Sequence, residues 1–137
     1  MMETCNRIGR ACYKPSVGYL LIRLVVGAIF IHHGWMKFGS EDMTMGFMQS
    51  LGLPGAMAYF ITAVELLGGA MLILGVLTRV AALILGIEML VAVLLVAYPH
   101  GGLAHSEFEL LLAAASFSIA FIGAGKYRLS NLFEHEQ

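Results

Sequence analysis

Four apolar stretches, at residues 18–37, 56–77, 80–98 and 107–123, dominate this sequence, and each has the length a helix needs to cross a bilayer. Lipid offers no water to satisfy backbone N–H and C=O groups, so a segment of this kind folds as a helix that bonds within itself. The joins are short except for residues 38–55, which makes successive helices antiparallel neighbours. The expectation is an all-α integral membrane protein: an up-down antiparallel four-helix bundle, one membrane domain over 1–137, with tails at 1–17 and 124–137. Composition supports it. Hydrophobic residues make up 59% and charged residues 12%, with a mean hydropathy of +0.83. That leaves too few polar side chains to cover a water-facing surface, and it excludes a disordered chain or a nucleic-acid binder. The first stretch reads as a retained helix rather than a signal peptide. Its apolar run is too long, and no small-residue cleavage site follows it.

The basic residues orient the spans. Arg7, Arg10 and Lys14 precede the first, Arg79 joins the second to the third, and Lys126 and Arg128 follow the fourth. With four crossings, all six fall on one side, so both termini are expected in the cytoplasm of a bacterial inner membrane. Cys5 and Cys12 then lie in a reducing compartment and are expected as free thiols.

The long join reads as a short interfacial helix on the outer side. Ser40 can cap it, Glu41 and Asp42 suit its first turn, Gly52 ends it, and Pro54 introduces the second span. Met43, Phe47, Met48 and Leu51 fall on one stripe. The simpler reading places that stripe in the headgroup boundary; the other lays it over the mouth of the bundle. Pro99, Gly101 and Gly102 predict an outer loop after the third span.

Arg23, Glu65 and Glu88 lie well inside their spans, where a charge costs at least about 2.5–3.5 kcal/mol on insertion scales. Each must face the interior and find a partner. At 1.5 Å of rise per residue, Arg23 and Glu88 come out nearly level, with Glu65 roughly 9 Å above Arg23. Arg23 is therefore expected to pair with Glu65 or Glu88, either as a structural ion pair or as part of a polar pathway. A second polar set gathers at the outer end: His32, His33, Lys37, His100, His105, Glu107 and Glu109. On a helical projection Arg23, Gly27, Gly34 and Lys37 share one direction, with Phe30 at its edge. His33 turns inward and His32 away. Glu109, Ala113, Ser116 and Ala120 form a similar narrow stripe. No histidine pair has tight metal-ligand spacing, so no metal site is assigned. No haem, flavin or iron–sulfur motif is evident.

The order Arg23-x3-Gly27-x2-Phe30-x3-Gly34-x2-Lys37, then Leu51-Gly52-Leu53-Pro54, then Glu65-x2-Gly68-Gly69-x2-Leu72-x2-Gly75-x2-Thr78-Arg79, and finally Gly123-x-Gly125 with Leu129-Ser130 resembles the DoxX family of small bacterial membrane proteins. The resemblance covers about residues 18–132. It implies a four-helix inner-membrane protein, and some relatives are subunits of quinone-linked systems, a terminal quinol oxidase and a thiosulfate:quinone oxidoreductase. Others are linked to oxidative or electrophile stress. Gly123-Ala124-Gly125 stands where the family usually has Gly-Pro-Gly, Asn131 where an acid is common, and Glu88 lies outside the family pattern.

Three functions compete. The first is a quinone- or quinol-binding subunit of a membrane redox complex. His33, Lys37 and Glu109 would hold the headgroup at the outer end, Arg23, Glu65 and Glu88 would form an inner anchor or proton relay, and a partner subunit would exchange the electrons. The second is a non-enzymatic anchor or scaffold for a redox or stress-response partner. The third is a small transporter or proton pathway, for which four helices require a homo-oligomer. Membrane lipid is the common partner of all three, and nucleic acid of none.

Overall fold

The computed structural model describes residues 14–129; Arg7, Arg10, Cys5, Cys12 and the tail beyond Leu129 lie outside the described residues. The chain is an all-α membrane protein. Helix α1 spans Pro15–Phe38, α2 Glu41–Ser50, α3 Met57–Leu74 and α4 Thr78–Ala92. A five-residue π-helical segment, Val93–Ala97, carries α4 into α5, Tyr98–Ile122. Among the described residues three helical stretches are long and apolar enough to cross a membrane: Pro15–Phe38, Met57–Leu74 and Thr78–Ile122.

The last of these, 45 residues long, doubles back on itself. Gly102 alone leaves the helical region (φ 63°, ψ −151°), and Gly86 then lies against Phe117 in the returning arm. Here the sequence expectation needs correction, because no loop forms over Pro99–Gly102. Proline lacks the helical N–H and crowds the carbonyl one turn before it. The wider winding at Val93–Ala97 accommodates that, so the helix runs on to Gly101 and a single glycine makes the turn. Ser106, fully buried, donates its hydroxyl to the Gly102 carbonyl at 2.9 Å and fixes the corner.

Helices α1 and α3 pack antiparallel, backbone against backbone. A Cβ on Gly27 would lie 2.8 Å from the Gly69 carbonyl oxygen, and one on Gly69 would lie 2.7 Å from that of Gly27. Small residues permit this approach, which supplies the packing that the hydrophobic effect cannot supply in lipid. One apolar core joins α1 (Val26, Phe30), α3 (Leu72), α4 (Ala82, Leu85, Met89) and α5 (Leu112, Ala113, Ile119). Leu21, Val25, Leu67, Ile87, Leu94, Leu111 and Phe121 face outward as an apolar exterior suited to lipid.

Candidate functional site

In a helix every Cα–Cβ bond leans toward the N-terminus. In antiparallel α1 and α3 this determines which charges meet. Measured from the Gly27–Gly69 contact, Lys37 lies roughly 15 Å along α1 and Glu65 roughly 6 Å along α3 in the same direction. Lys37 leans down into the protein and Glu65 leans up toward it. Lys37 Nζ donates to Glu65 Oε1 at 2.5 Å, an ion pair in which Glu65 is only 1% exposed. A lysine near a helix end ordinarily extends toward the headgroups. This one turns inward because a buried carboxylate awaits it. The Glu88 carboxyl on α4 lies against that of Glu65 and within the field of Lys37.

The same lean sends Arg23 the other way, and this corrects the expected pairing with a glutamate. Its guanidinium reaches the opposite end of the fold and donates to the carbonyls of Ala124, Tyr127 and Ile73. No ion pair links it to Glu65 or Glu88 among the described residues. Matching depth was the wrong criterion, because the arginine stem points toward the start of α1. The Ile73 carbonyl belongs to the last turn of α3, where helical acceptors lack internal partners. Gly75 (φ 73°) makes room: a Cβ there would sit 2.9 Å from Arg23 Nη1.

At the Lys37 end the helices enclose a cavity of about 500 Å³. His33 and Lys37 from α1, Glu65 from α3, Glu88 from α4 and Glu109 from α5 all line it. Five of the six candidate residues thus converge, and Arg23 stands apart. His33 stacks on Phe108, ring centroids 5.9 Å apart and planes 22° apart, while His32 is exposed. The walls are apolar: Phe30, Ile61, Met89, Leu95 and Leu112 among others. Met43, Phe47, Met48 and Leu51 also line it, so the stripe of α2 covers the mouth of the cavity rather than lying only in the headgroup boundary. Ser40 stands before α2 but makes no side-chain cap. With only Gly39 and Ser40 between the helices, its hydroxyl donates back to the Met36 carbonyl of α1.

His100, His105 and Glu107 are exposed and do not line the cavity. No group of three or more potential metal ligands occurs among the described residues. Sequence reasoning missed the Lys37–Glu65 pair, having assigned the two residues to separate clusters. It also missed Phe108, whose position beside Glu109 was the available signal. A site of this composition can hold a planar, partly polar ring: apolar walls and an aromatic stack for its faces, and ionisable groups for its edge.

A family model described as DoxX matches residues 18–98, which cover most of α1, all of α2 to α4 and the π-helical segment. The chain is 35% identical over 109 residues to "Putative oxidoreductase CatD" of Bacillus subtilis (strain 168), covering 80% of this chain and 81% of that protein. It is 30% identical over 120 residues to "Inner membrane protein YqjF" of Escherichia coli (strain K12), covering 85% and 92%. No solved structure gives a significant match.

Proposed function

The chain belongs to the DoxX family, and on that premise we propose that it binds the headgroup of a quinone or quinol as a subunit of a membrane redox complex. The observation that supports this most is the convergence of His33, Lys37, Glu65, Glu88 and Glu109 on one apolar cavity. A quinone-type ring needs such a slot, with polar groups at one side for its oxygens and apolar walls for its faces and tail. The name of one relative, "Putative oxidoreductase CatD", points the same way.

Within this reading His33, backed by Phe108, faces the ring and can give or take a proton at its edge. Lys37, held by Glu65, presents its remaining N–H donors to an oxygen. Glu109 orients its neighbours and can exchange a proton. A bound quinol supplies two electrons and two protons when oxidised, and the electrons pass to or from a partner subunit. The cavity end faces the outer side of the inner membrane, as the Lys and Arg distribution favours.

Two measurements test the reading. The full chain is purified from its native membrane and extracted with organic solvent, and co-purifying quinone is identified by mass spectrometry. Quinone is expected in stoichiometric amount, reduced in Glu109→Gln and in His33→Ala. A tight protein partner with no quinone would put the scaffold reading ahead. For orientation, Met45→Cys and Ala104→Cys should react with an impermeant thiol reagent in intact cells. Labelling of native Cys5 from outside would reverse the map.

A further inference from the structure

The polar groups lining the cavity are unbalanced between donors and acceptors. Glu65 Oε2, Glu88 Oε2 and Glu109 Oε2 are all buried without a hydrogen-bond partner in the protein, and the residue that carries the first is only 1% exposed. The donors are few and largely spent. Lys37 already gives one proton to Glu65 Oε1. The two hydroxyls at the rim are occupied: Ser40 Oγ donates to the Met36 carbonyl at 2.8 Å and Thr44 Oγ1 to the Ser40 carbonyl at 3.0 Å. That leaves the His33 ring and what remains of the Lys37 ammonium. An ionised carboxylate accepts and never donates. If Glu65 and Glu88 hold one proton between them, that O–H serves the pair, and Glu109 still faces the cavity as an acceptor.

A buried acceptor that gains no donor keeps its desolvation cost, and two acceptors set face to face repel. A dione offers only acceptors, so its carbonyls would compete for the few N–H groups while the carboxyls stayed unmatched. A dihydroxy ring carries two O–H donors and supplies what the carboxyls lack. We infer that the cavity selects the reduced, hydroxyl-bearing form of the ring over the oxidised dione, with Glu109 as the selecting group. This rests on the reading that the cavity holds a quinone-type ring.

The test is calorimetric titration of the full chain in detergent under argon. The ligands are a short-chain benzoquinone, its hydroquinone and the dimethyl ether of that hydroquinone. The hydroquinone is expected to bind about ten- to a hundredfold more tightly than either other ligand, the size of a hydrogen bond to a charged acceptor. The ether keeps the shape and removes the donors, so it separates donation from fit. In Glu109→Gln the carboxylate acceptor is replaced by an amide that brings N–H donors, and the preference should collapse through weaker hydroquinone binding. Benzoquinone binding as tight as hydroquinone in the unaltered chain overturns the selectivity and leaves the ring site standing. Failure of all three ligands to bind overturns the ring site itself. A preference unchanged in Glu109→Gln overturns the role of that carboxyl.

Discussion

The two ends of the molecule treat buried charge in opposite ways. At one end Arg23, 3% exposed, donates to three backbone carbonyls, and the glycine at position 75 leaves space for its guanidinium. At the other end one lysine and three carboxyls, each with an oxygen left unmatched, line a cavity of about 500 Å³. Burial of an ionic group is costly in both places. The Arg23 end meets most of that cost within the protein, by tying the last turn of α3 to the segment after α5 through both terminal nitrogens, and only its Nε is left without a partner among the described residues of that contact. The Lys37 end meets it only in part. A fold can tolerate such a deficit where a ligand completes the set, which is why an unsatisfied cluster marks function more clearly than a satisfied one.

The largest expected effect lies at the arginine end. Arg23→Leu leaves the Ile73, Ala124 and Tyr127 carbonyls without their donor and should lower stability in detergent by about 3–5 kcal/mol, read from denaturant or thermal unfolding. Arg23→Lys should recover only part, because an ammonium cannot reproduce the planar fork. An unchanged midpoint in Arg23→Leu would remove the contrast between the ends.

Next comes the one full ion pair at the cavity end. Lys37→Met strands Glu65 and should cost about 3 kcal/mol, whereas Lys37→Met/Glu65→Leu should return to within about 1 kcal/mol of the unaltered chain. That rescue shows the pair to be replaceable for folding, and the double variant should still lose ring binding. If the double variant is as unstable as the single one, the pair is structural and the two ends are alike. A third, smaller effect concerns the α1–α3 contact. Gly69→Ala places a methyl 2.7 Å from the Gly27 carbonyl oxygen, and backbone cannot yield as a flexible side chain does. The expected loss is about 1–3 kcal/mol in the same unfolding measurement.

How much of this was legible in the sequence divides along the same physical lines. Apolar runs and helical periodicity report on one helix at a time, and they placed the spans, the inward turn of His33 and the small-residue stripes of α1 and α5. The convergence of His33, Lys37 and Glu109 followed from their shared end. Pairing between helices did not follow, because it depends on the register set by the Gly27–Gly69 contact and on the lean of each side chain. In a list of depths Arg23 looks level with Glu88 and within reach of Glu65, yet Arg23 leans toward the start of α1 and Glu65 toward the opposite end. Lys37 and Glu65 look too far apart and lean together. The Pro99–Gly102 segment failed for a different reason. Turn-forming residues were counted, whereas one positive-φ glycine after a widened helical turn suffices to reverse the chain.

The smallest expected effect on folding is the one that most sharpens the comparison. Glu88→Gln and Glu109→Gln keep the size of the side chain and exchange an oxygen for an N–H₂. At Arg23 an equivalent change would leave partners stranded. Here Glu109 Oε2 has no partner to lose, and at position 88 an amide N–H can donate to Glu65 as a carboxyl proton would. Each variant should therefore unfold within about 0.5 kcal/mol of the unaltered chain, or slightly above it, as is usual for a change away from a satisfied network. A loss above about 2 kcal/mol in either would mean that the carboxyl is already matched within the fold. The cavity would then be a structural polar cluster, and the contrast between its open acceptors and the closed arginine would no longer hold.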